Sequence, residues 1–169
     1  MAVFLKKALT QIEAGEAQVA PARASVMVVD DREPNLAVMA GILRPHFNVL
    51  EARSGQEALA TISALNGSER LACIISDYRM PGMTGTELLE RIKPLLPWTT
   101  RVIVSGYIDL DAIIDAVNRS GISKFIAKPF DADEFLSAIS GAVDAFELTS
   151  ARAARLAELE ALVAKANLR

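Results

Sequence analysis

The chain has one cysteine, one histidine and one tryptophan among 169 residues, and no apolar run long enough to cross a bilayer. Each scarcity removes a class of function. A single cysteine, Cys73, cannot form a disulfide within the chain, and its place inside an apolar stretch marks it as a small core residue. The one histidine, His46, follows Arg44-Pro45 and lacks the acidic helical neighbourhood of a phosphorelay histidine, so it reads as a turn residue. Trp98, after Leu95-Leu96-Pro97, reads as a partly exposed connector covering the sheet edge. Basic residues are not in excess: 18 Lys and Arg stand against 21 Asp and Glu, a net charge of −3, which argues against a nucleic-acid surface. The start, MAVFLKKALTQIEAGEAQ, places its lysines after its first apolar residues and has no long apolar core. It is expected to be neither a signal peptide nor a membrane span, which implies a cytoplasmic protein.

What the chain does have is four short apolar runs that each end in polar groups: SVMVVDD (25–31), LACIISDYRMPG (71–82), RVIVSGY (101–107) and KFIAKPF (124–130). Each run is rich in β-branched residues and does not alternate, as expected of a strand buried on both faces of a parallel sheet. Open α/β sheets place their ligands at the carboxyl ends of the strands, so Asp30, Asp31, Asp77, Ser105 and Lys128 should converge. Three crowded carboxylates call for a cation, and a hard ion such as Mg²⁺ suits oxygen ligands. A metal held by Asp31 and Asp77, with Asp30 acting through water, would leave one Asp77 oxygen free to attack phosphorus. Lys128 and the Ser105 hydroxyl would then meet the spread negative charge of the transferred phosphoryl group. The product would be an aspartyl phosphate.

In this order the chain resembles the receiver domain of bacterial two-component response regulators. The resemblance covers residues 25–145. It rests on the tandem acids Asp30 and Asp31, on Asp77 followed by x-x-Met80-Pro81-Gly82, on Ser105 ending the fourth strand, and on Lys128-Pro129 after the fifth. It implies a flavodoxin-like doubly wound fold with a five-stranded parallel sheet in the order 2-1-3-4-5. It further implies Asp77 as phosphoacceptor, Mg²⁺ as cofactor, and the backbone carbonyl of Arg79 as a third metal ligand. Phe125, three residues before the lysine, takes the place of the switch aromatic, where tyrosine is commoner. Gly106, Arg79 and Tyr107 are placed to modulate access to the phosphate, and Lys128-Pro129 is expected to be cis. The implied partners are a sensor histidine kinase or phosphotransfer protein, and the switching face is built from the fourth helix, fifth strand and fifth helix. Self-phosphorylation and slow autodephosphorylation are the only chemistry expected, with no turnover of an external substrate.

Helical patterns fill the gaps between strands: from Pro34 to Leu43, from Ser54 to Leu65, from Thr84 to a stop near Pro94, and from Asp109 to Arg119 before a left-handed cap at Gly121. FNVLEA supplies the second strand. Beyond Asp131 there is no proline, so the fifth helix is expected to continue through residues 146–169. There Leu156, Leu159, Val163 and Ala166 follow coiled-coil spacing, as expected of a homodimer seam. Residues 1–24 carry a helical stripe, Phe4, Leu5, Ala8, Leu9 and Ile12, ahead of an Ala/Pro linker.

Other classes fit less well. A haloacid-dehalogenase-type phosphohydrolase wants Asp-x-Asp where Arg32 follows Asp30-Asp31, and a dinucleotide enzyme wants a glycine-rich first turn in place of DDREPN. The remaining alternative is a receiver fold kept as a constitutive interaction and dimerisation module, independent of phosphorylation. The expected output lies elsewhere, in a partner or a further domain. The stretch SGYIDLDAIIDAVNRSGISKFIAKPFD resembles receivers that precede cyclic-nucleotide or HD-type hydrolase modules.

Overall fold

The computed structural model describes residues 23–65, 70–106, 118 and 120–166. Its elements are β1 (Ser25–Val29), α1 (Glu33–Leu43), β2 (Asn48–Ala52), α2 (Gly55–Ala64), β3 (Leu71–Asp77), α3 (Gly85–Ile92), β4 (Thr100–Ser105), β5 (Lys124–Ala127) and α4 (Ala132–Ala166). All strand pairs are parallel, and the sheet order is β2-β1-β3-β4-β5. Of the helix expected over 109–119 only Asn118 is described, and it is helical; the stripe of residues 4–12 and Tyr107 lie outside the described residues.

The unbroken apolar runs have a direct structural cause. In β1, Val26 and Val28 point into one core layer, with α1 and α4, while Met27 and Val29 point into the other, with α2 and α3. A strand sandwiched in this way has no solvent face, so alternation disappears. β1 and β4 are buried along their whole length, and β3 up to its final aspartate. The expectation of two-sided burial fails for KFIA: β5 is an edge strand with exposed ends and half-buried Phe125 and Ile126. An edge strand has a neighbour on one side only. Cys73 is fully buried in the α1/α4 layer, and that burial, offset in part by the Thr100 hydroxyl, pushes its thiol up to about 12. It packs as a hydrophobe and is inert as a nucleophile.

The helix starts follow from capping chemistry. Ser54 Oγ accepts from Glu57 N at the start of α2, and Thr84 and Glu87 form a full capping box at the start of α3. The Thr84 amide and hydroxyl hold the exposed Glu87 carboxyl below its usual range. α1 starts without a side-chain cap but has proline in its first turn. Gly121 has φ +60°, the left-handed conformation expected of it.

α4 is the element that departs most from a compact domain. Its first half packs Phe135, Ile139, Val143 and Phe146 onto the sheet, and the helix then continues unbroken to Ala166. At a rise of about 1.5 Å per residue, the part beyond Ser150 is roughly 24 Å long. Leu148, just before it, and Leu156, Leu159, Leu162 and Val163 on it are exposed. No helix among the described residues is long and apolar enough to cross a membrane.

Candidate phosphoacceptor site

Asp30 comes directly after β1 and is fully buried. A buried carboxylate must be met by donors, and three groups supply them. Arg32 N donates to Oδ1 at 2.9 Å, Asn35 Nδ2 lies 3.0 and 3.1 Å from the two oxygens, and Lys128 Nζ donates to Oδ2 at 2.8 Å. Asp77, the last residue of β3, is less enclosed. Its Oδ1 accepts from Lys128 Nζ at 2.7 Å and its Oδ2 from Arg79 N at 2.8 Å.

Lys128 therefore bridges two carboxylates that are 47 residues apart in sequence and come from neighbouring strands. Its own position is set by the sheet. Lys128 N donates to Ser105 O at 2.8 Å, extending the β4/β5 ladder by one step past Ala127 and setting the side chain at the carboxyl edge. Partial burial pulls the ammonium's pKa down, but the hydrogen bonds it donates to Asp30 and Asp77, and then their charges, outweigh it and leave the group above its ordinary value. The Lys128-Pro129 bond is cis, as expected.

The other expected residues are distributed as follows. Ser105 is buried at the end of β4. In the sheet register Ile103 faces Phe125 and Ser105 faces Ala127, so Ser105 and Phe125 are diagonal neighbours on one face of the sheet. Phe125 is half-buried against the α2/α3 layer. Asp31, Arg79 and Gly106 are exposed at the rim, and a Cβ on Gly106 would come no nearer than 3.9 Å to Lys128.

Among the described residues no three His, Cys, Asp or Glu side chains form a metal-holding group. Lys128 lies between Asp30 and Asp77 instead. The donor chemistry still fits a hard divalent ion. Two carboxylates share one ammonium, Asp31 adds an exposed third next to Asp30 in the chain, the side-chain ligands on offer are oxygens, and the 2.8 Å bond from Arg79 N brings the Arg79 main chain against the Asp77 carboxylate.

Two residues of the site were not singled out in the sequence. Asn35, in the first turn of α1, holds both oxygens of Asp30; an amide in register with a preceding acidic pair was the available signal. Gly85 begins α3, and a Cβ there would sit 2.1 Å from Asp77 O and 2.9 Å from Ser76 Oγ. That approach is tertiary and leaves no local trace in the sequence.

The family model of the response regulator receiver domain matches residues 26–140. The hydrogenase transcriptional regulatory protein HoxA of Cupriavidus necator is 35% identical over 123 residues, 73% of this chain and 25% of that protein. The chain thus spans about a quarter of the length of such relatives. Among solved structures, the signal receiver domain of an HD domain-containing protein from Pseudomonas fluorescens Pf-5 aligns with TM-score 0.68 and 31% identity, over 74% of this chain and 98% of that one. A structure described as adenylate cyclase from Rhodopirellula baltica aligns with TM-score 0.73 and 29% identity, over 79% and 97%. With the sheet order, the Asp30–Lys128–Asp77 bridge and the family match in agreement, the chain belongs to the response regulator receiver domain family of two-component signalling.

Proposed function

We propose that the chain is a phosphorylation switch in which Asp77 accepts a phosphoryl group from a histidine kinase or phosphotransfer protein. The observation that carries this reading is the Lys128 ammonium held at 2.7 Å from Asp77 and 2.8 Å from Asp30. In the step itself an Asp77 oxygen forms the O–P bond while the P–N bond to the donor imidazole breaks, and the imidazole nitrogen takes up a proton. Lys128 stays with the transferred group as its counter-charge, and the Ser105 hydroxyl donates to a phosphoryl oxygen. Asp31, Asp77 and the Arg79 carbonyl are the residues that would hold Mg²⁺, with Asp30 acting through water; the ion, when bound, supplies neutralisation of phosphoryl charge. Gly106 leaves the approach open, whereas Arg79 and Tyr107 limit attack by water.

The test is Mg²⁺-dependent labelling by acetyl phosphate or phosphoramidate, read by intact mass. The parent chain gains one phosphoryl group and Asp77→Asn gains none. Equal labelling of both would overturn the assignment, and an unlabelled parent would favour a constitutive module.

Transmission follows from the same chemistry. Phosphorylation replaces one negative charge at Asp77 by about one and a half to two, with new acceptor oxygens. Ser105 drawn toward them vacates space beside Phe125, whose diagonal position on the same face supports its role as follower. This shifts an existing equilibrium of the face that includes β5 and the first half of α4. Leu156, Leu159 and Val163, exposed on α4 beyond Ser150, belong to the proposed dimer seam. With beryllofluoride as phosphoryl mimic, sedimentation of the full chain should show a change in self-association that a chain ending at Ser150 lacks. An unchanged profile, together with unchanged amide exchange on that face, would refute the switch. Relatives named for transcriptional regulation, HD and cyclase proteins support an output lying outside this receiver.

A further inference from the structure

The exposed half of α4 has two distinct faces. Successive helical residues turn by about 100°, so Leu148, Leu156, Leu159 and Val163 form one stripe. Ser150, Ala153, Ala154 and Ala157 form another, nearly opposite, which continues the face that Phe135, Ile139 and Phe146 pack onto the domain. The leucine stripe points away from the domain. The alanine stripe instead walls a groove whose other side is Trp98, 49% exposed, with Leu95, Leu96 and Leu71 beyond it. Arg70 closes the floor: its guanidinium lies 5.2 Å over the Phe146 ring and pairs with Glu147 at 3.6 Å and with Ser150 Oγ. These contacts place the exit of α4 at the amino-terminal end of β3.

The chain also enters the fold at that end. Ser25, the first residue of β1, is in register with Leu71, one strand away, and Ala24 packs in the same layer as α4. Ahead of it lies a stretch whose apolar residues, Phe4, Leu5, Ala8, Leu9 and Ile12, fall on one helical face, with Lys6, Lys7, Thr10 and Glu13 on the other. Residues 13–22 can span at most about 35 Å, enough to reach any part of the groove. A tether that short sets an effective concentration on the order of millimolar.

We propose that residues 4–12 dock as an amphipathic helix in the groove between Trp98 and the alanine face of α4, bracing the helix where it leaves the domain. A helix of nine residues is about 14 Å long, close to the roughly 16 Å of α4 between Phe146 and Ala157. Alanines allow close approach of a second backbone, and the larger side chains of the incoming helix fill the space beside Trp98. The occupant is this chain's own segment rather than a second copy, because the larger apolar surface open to a second copy is the leucine stripe on the opposite side. The proposal does not depend on phosphorylation.

Trp98 is the only tryptophan, so its emission reports the groove directly. In the 169-residue chain Leu9→Asp should shift Trp98 emission to the red and raise its quenching by acrylamide, while Lys7→Asp, on the polar face, should leave both unchanged. The pair Leu9→Cys and Ala154→Cys should close an intrachain disulfide under mild oxidation, with Cys73 remaining buried and unreactive. Unchanged emission in Leu9→Asp, or an equal shift in Lys7→Asp, would overturn the proposal. A disulfide that forms between chains would overturn it in favour of a second copy in the groove.

Discussion

Lys128→Met should separate metal binding from phosphorylation. The substitution keeps the length of the side chain and removes its charge, so Asp30 loses the donor on Oδ2 and Asp77 the one on Oδ1. Asp30 keeps Arg32 N and Asn35 Nδ2, and a native stability loss of about 1–3 kcal/mol is expected, not collapse. Mg²⁺ affinity, read by titration, should be unchanged or tighter, since a competing cation has gone. Phosphorylation-driven association should fall by far more. In contrast Asp31→Ala should remove Mg²⁺ binding. Equal losses of metal binding and activation in Lys128→Met, or neither loss, would refute the counter-charge role.

The pH dependence has a definite sign. Because the folded pKa of Lys128 is raised, the stabilisation from its ion pairs is fully present below the unfolded lysine value of about 10.4. It is lost as pH rises through the higher folded value. The stability gap between parent and Lys128→Met should therefore stay flat through neutral pH and close only in alkali. A gap that closed between pH 6 and 8 would point to some other group.

Gly85→Ala should be the most damaging single-methyl change in the site. The added Cβ would lie 2.1 Å from Asp77 O, a backbone atom that cannot swing aside, so either β3 or the start of α3 must move. Overpacking of this kind costs about 1–3 kcal/mol, and any shift of Asp77 alters its distance to Lys128. Labelling by acetyl phosphate should slow sharply while the capping box of Thr84 and Glu87 is strained. Gly41→Ala is the matched contrast. Gly41 is exposed in α1 with nothing within 4 Å of the added carbon, and alanine there should stabilise by about 0.5–1 kcal/mol without affecting labelling. Chemical denaturation of the two variants checks both signs. A Gly85→Ala protein as stable and as readily labelled as the parent would show that the close approach is not tight.

Much of the scaffold was legible because its signals are local or periodic. Unbroken β-branched runs reveal strands covered on both sides, Ser54 and Thr84 mark helix starts, and the absence of proline after Asp131 allows one helix to continue to Ala166. Acids and a lysine at strand ends are likewise a pattern in one dimension, and the order of strands turns it into a site. β5 read as a fully buried strand because its apolar letters look like those of β1, whereas its place at the sheet edge is a property of the assembled sheet.

The sequence by itself determined the element order, the parallel sheet and which polar groups end its strands, since these follow from spacing, capping and composition. Only the tertiary structure decided that Lys128 bridges Asp30 and Asp77, that Asn35 holds Asp30, that Gly85 has no room for a side chain, and that α4 turns its alanine face to Trp98 and its leucines away. Each of these depends on atoms brought within a few ångströms from distant parts of the chain. Such distances are set by packing, and no local periodicity encodes them.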